Sequence, residues 1–381
     1  MARIVVGAYM VRYPLGGMLS LTLQWLLGLR ALGHDVYLVE KSTWPESCFD
    51  PVRRVMSDDW AYGHGVVTRL LARYGFEGRL CYVDANGAYH GLERPVVEHV
   101  IRTADLFIDH GSHGAWFEEA SHAGAQVLVD GEPGWRQMKM ENRPGGSEDP
   151  PAYDGYFTMG LNLGTEASSA PLGGREWVPV LPVVAVDEFG PVEASPNAAV
   201  TTVMNWQAHE PIEYDGRRYG QKDVEFPKFL ELPKRSSLPC EVAIAGDAPR
   251  GELEAAGWSL RDAHDVTLTF DGYWRYIQAS CAEFSVCKNV FVDTNSGWFS
   301  DRTAAYLACG RPAVIQETGF SAHLPCGEGL FAIRDVDEAA EAIAEIDSDY
   351  ARHSRAAREI ACEHLDARRV IAGMLEVVGV G

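Results

Sequence analysis

Short apolar runs alternate along this chain with longer stretches of helical spacing, and polar, glycine-rich segments close several of the runs. Ile4-Val5-Val6 predicts a strand, a loop with Pro14, Gly16 and Gly17 follows, and Met18 to Leu32 predicts a helix closed by Gly33-His34. Leu19, Leu23, Leu26, Leu27 and Leu29 surround most of that helix, so it is expected to pack deeply against a sheet. Val36 to Val39 is the next strand, ending at Glu40. The result is a βαβ unit with its glycine loop at the carboxyl end of the first strand, where open parallel sheets bind ligands.

The alternation continues. Val66 to Tyr74 and Pro95 to Ile101 read as helices, and Leu80 to Val83, Leu106 to Ile108 and Val127 to Val129 as strands, with a short helix at Phe117 to Ala123. Two strands run into polar ends, Asp109-His110-Gly111-Ser112-His113-Gly114 and Asp130-Gly131-Glu132-Pro133-Gly134. Loops are expected over Arg143 to Pro151 and Ser168 to Arg175, and a Pro-rich acidic linker over Asp187 to Asn197. The pattern then restarts, with strands at Val200 to Met204, Cys240 to Ala245, Val290 to Val292 and Ala313 to Ile315 and a helix at Tyr273 to Cys281. From Val336 onward the spacing is helical. The expected class is α/β with mostly parallel sheets: an N-terminal domain over 1–186, a second α/β domain over 187–360, and a C-terminal helix, 361–381, packing back on the first domain.

The length of 381 residues suits two domains of ordinary size. The longest apolar stretch, Met18 to Leu32, is broken by Ser20, Thr22, Gln24 and Arg30, so it does not read as a membrane span. No secretory signal pattern opens the chain, and the expected location is cytoplasmic. A net charge of −21 argues against nucleic acid and anionic membranes as partners, so an anionic ligand needs local basic residues. The eight cysteines include no C-x-x-C pair and read as buried free thiols. Asp335-Val336-Asp337 and Asp347-Ser348-Asp349 match D-x-D by letter but lie in acidic helical surroundings, so no metal is expected.

The most informative segment is Ser296 to Phe320, where a glycine turn opens a short apolar helix stopped by Cys309-Gly310-Arg311-Pro312. Backbone N–H groups at a helix N-terminus favour an anion. Ser300 or Asp301 fits the N-cap, and Arg302 places a cation in the first turn, against the dipole, which makes sense where something anionic binds. An ordinary capped helix is the alternative. Gly16 and Gly17 would let backbone approach a diphosphate, or simply make a tight strand-to-helix turn.

Three features in this order resemble the GT-B nucleotide-sugar-dependent glycosyltransferases: Pro14-Leu15-Gly16-Gly17 before a helix ending Gly33-His34-Asp35-Val36, the double α/β layout, and a late helix ending Ala308-Cys309-Gly310-Arg311-Pro312 before a strand. The resemblance implies two Rossmann-like α/β/α domains facing a cleft, the first holding the acceptor and the second the nucleotide sugar. It implies transfer of a sugar from a nucleotide diphosphate sugar to a small-molecule acceptor, as in natural-product biosynthesis, with no cofactor beyond that co-substrate. A GT-B epimerase or hydrolase, or a silent nucleotide-sugar-binding protein, are the alternatives. Retaining members with this C-terminal pattern usually place glutamates at two positions that are here Gly297 and Ala305.

On this reading His110 or His113 takes the acceptor proton, the alternative for each being a satisfied loop histidine, with Asp109 either orienting an imidazole or capping the next helix; Asp130 and Glu132 are second-choice bases. Lys222 or Arg302 offsets the charge on the departing diphosphate, although Lys222 also fits a solvated basic loop around Arg217 and Arg218. Gln316 and Glu317 suit sugar hydroxyls. Trp298 and Phe299 would stack on a base or sugar, or belong to the core.

Overall fold

The computed structural model describes residues 1–145, 152–193 and 198–381. Parts of the expected loop over 143–151 and of the expected linker over 187–197 lie outside the described residues. The first half contains β1 (Arg3–Gly7), β2 (Asp35–Lys41), β3 (Cys48–Asp50), β4 (Val55–Ser57), β5 (Leu80–Val83), β6 (Tyr89–Gly91), β7 (Leu106–Asp109), β8 (Gln126–Asp130), β9 (Gly155–Thr158) and β10 (Val178–Pro179). The second contains β11 (Val200–Asn205), β12 (Ile212–Tyr214), β13 (Arg217–Tyr219), β14 (Cys240–Ala245), β15 (Ser259–Asp262), β16 (Ala282–Ser285), β17 (Ala313–Gln316) and β18 (Leu330–Ile333).

Two sheets organise the chain. Eight strands run in the order β10-β9-β8-β7-β1-β2-β5-β6, all neighbours parallel except the β5–β6 hairpin, and six run β15-β14-β11-β16-β17-β18, all parallel. Both are open sheets with strand order reversing beside the first strand of the unit, β1 or β11, so their carboxyl ends are the ligand-binding edges. Strands buried on both faces read as apolar runs, which is why Leu80–Val83, buried throughout, matches its expected bounds; Cys240–Ala245 matches as well, with Glu241 its one partly exposed charged residue.

Two expectations are corrected. Val290 to Val292 is not a strand: Asn289–Asp293 is a short helix, and the strand in that region is Ala282–Ser285. Glu283 interrupts the apolar run of the true strand, while the β-branched valines imitate one; buried Val290 and Phe291 pack from the helix instead. Arg217 and Arg218 sit not in a loop but on β13, paired with β12 in a hairpin.

One core cluster joins the two sheet units through helices Gly16–Ala31, Phe270–Ala279, Asp301–Ala308, Tyr350–His364 and Ala367–Val378. The last of these lies on the first: a Cβ added at Gly28 would come within 2.6 Å of Ile371 and 2.7 Å of Ala367. Among the described residues, no helix is long and apolar enough to cross a membrane. All eight cysteines are free, six of them buried.

Candidate active site

The carboxyl ends of the two sheets meet around the turn 295–299. Trp298 pairs backbone with Gly160, Asn162 N–H donates to Ser296 O at 3.0 Å, and Asn162 Nδ2 donates to Asn295 O at 3.0 Å. The Trp298 indole N–H donates to Gly131 O at 3.2 Å, and its ring stacks on Phe291 at 4.7 Å. Trp298 is thus a junction residue whose ring face is taken by Phe291. Phe299 is fully buried against Phe320, so it is core and not a stacking platform for a base.

Ser300 is the N-cap of helix Asp301–Ala308, its hydroxyl accepting from Arg302 N–H. The anion expected for Arg302 is the protein's own. Its guanidinium turns back to the sheet, binding Glu283 at 2.6 Å, Val203 O at 2.9 Å and Ser285 Oγ at 2.5 Å. Arg302 is therefore not available to grip a diphosphate directly. Asp301 is partly buried, and that burial pushes its carboxyl up against the opposing pull of Arg302.

Gly297 explains the missing glutamate. Its φ is +76°, and an added Cβ would lie 2.7 Å from Asn162 N and 3.0 Å from Leu161 N. A glutamate cannot stand there without parting the two sheet units. Ala305, the other position, is buried.

Lys222 is the N-terminal residue of a one-turn helix, Lys222–Glu225, held by a buried network. Glu225 accepts from Asn289 Nδ2 at 2.8 Å and Gln316 Nε2 at 2.5 Å, Asn289 Oδ1 accepts from Gly220 N–H, and Gln316 Oε1 accepts from Cys287 N–H. Gln316 is a brace for this network, and its carboxamide is not offered to a sugar. Glu317 likewise caps its own turn, accepting from Thr318 and Gly319 N–H and from the Ser321 hydroxyl. Lys222 so placed is 7% exposed, and its ammonium makes no ion pair or side-chain hydrogen bond with the described residues. Burial, then Arg302 and Lys288 nearby, push its pKa down to about 7.

On the facing edge, Glu132 after β8 binds Lys288 after β16 through both carboxylate oxygens, at 2.5 and 2.6 Å, with His209 at 3.9 Å. His209 stacks on Trp135 at 4.2 Å, and a cavity of about 540 Å³, lined in part by Trp135, Lys139, His209 and Glu213, opens beside the pair. Lys288 and His209 escaped the sequence reading. Taking Val290–Val292 as a strand moved Lys288 to the wrong end of it.

His110 follows β7, 7% exposed, its ring 4.9 Å from Trp25 and its Nδ1 buried without a partner among the described residues. Burial drives its pKa down to about 4, with Asp109 opposing, so the imidazole is neutral near pH 7. Asp109 serves as a loop brace rather than an orienter: it accepts from Ser112 and Gly114 N–H at 2.8 Å each and from the Tyr153 hydroxyl at 2.6 Å. His113 is exposed, at φ +53°. Asp130 is fully buried and accepts from Arg136 and Gln137.

Gly16 and Gly17 differ from each other. A Cβ on Gly16 would fall within 2.7 Å of Thr269 O and closer still to Tyr273, so this glycine lets two helices meet and is not open to a phosphate. Gly17 has only Tyr273, at 3.9 Å.

Solved structures share this architecture. HepE of Anabaena, solved with UDP and glucose, superposes with a TM-score of 0.56 at 11% identity, covering 100% of both chains. An alpha-glucosyltransferase solved with UDP and a 13-mer DNA gives 0.59 at 11% identity over 99% of each, and sucrose-phosphate synthase of Thermosynechococcus elongatus gives 0.51 at 10% over 99% of this chain and 98% of that one. The chain has the GT-B fold. Residues 227–375 of this GT-B chain match the family described as glycosyl transferase-like. No curated protein matches it. Among the described residues no group of three His, Cys, Asp or Glu side chains is placed to hold a metal ion.

Proposed function

We propose that this chain is a glycosyltransferase that moves a sugar from a nucleotide diphosphate sugar to a small-molecule acceptor. The observation that carries this reading is Lys222, a buried residue whose ammonium has no carboxylate partner among the described residues. Leaving a cation so is costly unless an anion arrives to meet it. The glycosyl transferase-like match over 227–375 and the UDP in the HepE and alpha-glucosyltransferase structures support a nucleotide diphosphate as that anion.

In the proposed step the bond from the sugar C1 to the diphosphate breaks, and charge grows on the leaving oxygen, which Lys222 stabilises. The acceptor hydroxyl forms the new bond to C1 and yields its proton to His110 or His113. No metal is needed for this assignment of roles. The net charge of −21 favours a small acceptor over DNA, whose phosphates call for many cations. Gly297 and Ala305, in place of two glutamates, favour keeping a second reading: a hydrolase, epimerase or silent binder at the same donor site.

Mass spectrometry with a panel of nucleotide sugars and acceptors separates these. The proposal expects free nucleotide diphosphate together with a heavier acceptor. Released sugar or an epimerised donor would establish the second reading, and binding without turnover a silent module.

A further inference from the structure

We propose that the loop after β1 and the β3–β4 hairpin form the binding site for a flat aromatic acceptor that offers an oxygen to Arg12. The inference rests on the glycosyltransferase reading and names the acceptor class that the reading leaves open.

Three half-buried rings lead from the base candidate to the surface. Tyr9 lies 3.8 Å from where a Cβ on Gly111, next to His110, would stand. Tyr9 stacks on Tyr13 at 5.3 Å, and Tyr13 stacks on Phe49 of β3 at 5.4 Å. The Tyr13 hydroxyl meets Met56 Sδ at 3.3 Å, and there the chain presents apolar surface to water: Met56 is 41% exposed and Trp44 48%. Among the described residues, four of the ten large exposed hydrophobic side chains, Trp44, Val52, Val55 and Met56, fall within this short segment, so the patch is a concentrated one.

Arg12 gives the patch a polar centre. Its side chain is 1% exposed, with the guanidinium 4.5 Å from the Tyr9 ring and 4.8 Å from the Trp44 ring. Nε donates to Glu40 at 3.0 Å, whereas Nη1 is buried and neither η nitrogen has an acceptor among the described residues. The free edge is the fork that binds a carboxylate or carbonyl side-on. Glu40 fixes that fork by also accepting from Met10, Val11 and Arg12 N–H at 2.7, 2.6 and 3.0 Å. The hairpin is anchored too, through His264 Nε2 to Pro51 O at 2.6 Å and Arg54 to Asp262 at 3.0 Å, both from the second sheet unit. Rings and an unfilled guanidinium edge on a fixed frame, continuous with the His110 loop, suit a planar ligand better than a sugar.

The test is isothermal titration of the full chain, with UDP present, against hydroxynaphthoate, naphthol and maltose, with UDP affinity measured in parallel. Hydroxynaphthoate should bind, naphthol about tenfold more weakly, and maltose not measurably. Trp44→Ala, at an exposed position, should weaken hydroxynaphthoate at least about fivefold. Arg12→Gln should bring it down to the naphthol value; should that variant misfold, the double change Val55→Ser with Met56→Ser gives the same reading of the patch. Equal affinity for maltose, no effect of Trp44→Ala, or Trp44-dependent binding to phosphatidylcholine vesicles or to a second copy of the chain in its place, would overturn the inference. UDP binding that persists in those cases leaves the glycosyltransferase reading standing, and UDP binding that is absent throughout removes that reading by itself.

Discussion

Lys288 and Glu132, 156 residues apart, close a two-pronged salt bridge between the edges of the two sheets. Burial alone would raise the Glu132 carboxyl, but Lys288 and His209 overcome it and bring the pKa down to about 2. A carboxylate whose folded pKa lies below its unfolded value adds stability above about pH 4.5 and loses it as pH falls toward 2. Glu132→Gln should therefore cost about 1–3 kcal/mol at pH 7, by leaving Lys288 without its partner. Urea unfolding at stepped pH should show the gap between variant and parent closing below pH 4.5. A gap that stays constant down to the lowest pH would mean the pair contributes little.

Lys222 carries the opposite sign. Its folded pKa of about 7 lies below the ordinary 10.5, so the folded protein resists charging it. The unfolded chain binds the extra proton between those values; the penalty is full below pH 7, shrinks as pH rises, and vanishes above 10.5. Lys222→Met should thus stabilise the unliganded protein at pH 7, by about 1–3 kcal/mol. The same change should weaken UDP by about tenfold or more while leaving acceptor affinity unchanged. Thermal midpoints with and without UDP measure both, and unchanged UDP affinity removes Lys222 from the donor site.

Most strands were legible because parallel sheets bury both faces, and what failed did so where a distant partner decided the outcome. Glu283 hides the strand Ala282–Ser285, since nothing nearby in sequence says that Arg302, 19 residues on, will neutralise it. The same pairing removes the reason for placing an anion beside Arg302. Gln316, legible as a polar strand end, is bound instead to Glu225, 91 residues away. Lys222 was legible because a lysine two residues after a glycine, in the polar stretch following Val200–Asn205, needs no partner to be noticed; that it has none among the described residues is a tertiary fact.

His110 and His113 can be told apart by pH as well as by rate. Burial, partly offset by Asp109, holds His110 near a pKa of 4, so the unfolded chain binds its proton first as pH falls from about 6.5 to 4. The parent should lose stability across that window relative to His110→Gln, because stability rises with pH wherever the unfolded state holds more protons. If His110 is the base, His110→Gln should lower kcat by about 100-fold or more with KM for the donor little changed, and His113→Ala should leave kcat within about threefold. Rate profiles of the two variants decide it, and the reverse ranking assigns the proton to His113.

The two glycines after β1 provide the sharpest contrast between a ligand turn and a packing contact. Gly16 meets Tyr273 and Thr269 of the second sheet unit with no room for a methyl group, whereas Gly17 has its nearest neighbour at 3.9 Å. Gly16→Ala should destabilise by about 1–3 kcal/mol, the usual cost of overpacking a filled contact. Gly17→Ala, in the first turn of the same helix, should be neutral or stabilising by up to about 1 kcal/mol, since alanine restricts the unfolded chain. Urea denaturation measures both. UDP affinity adds the functional half: if Gly17 lies against a diphosphate, its methyl should weaken UDP by about fivefold or more without touching stability, and unchanged affinity would make the loop a connection between strand and helix and nothing else.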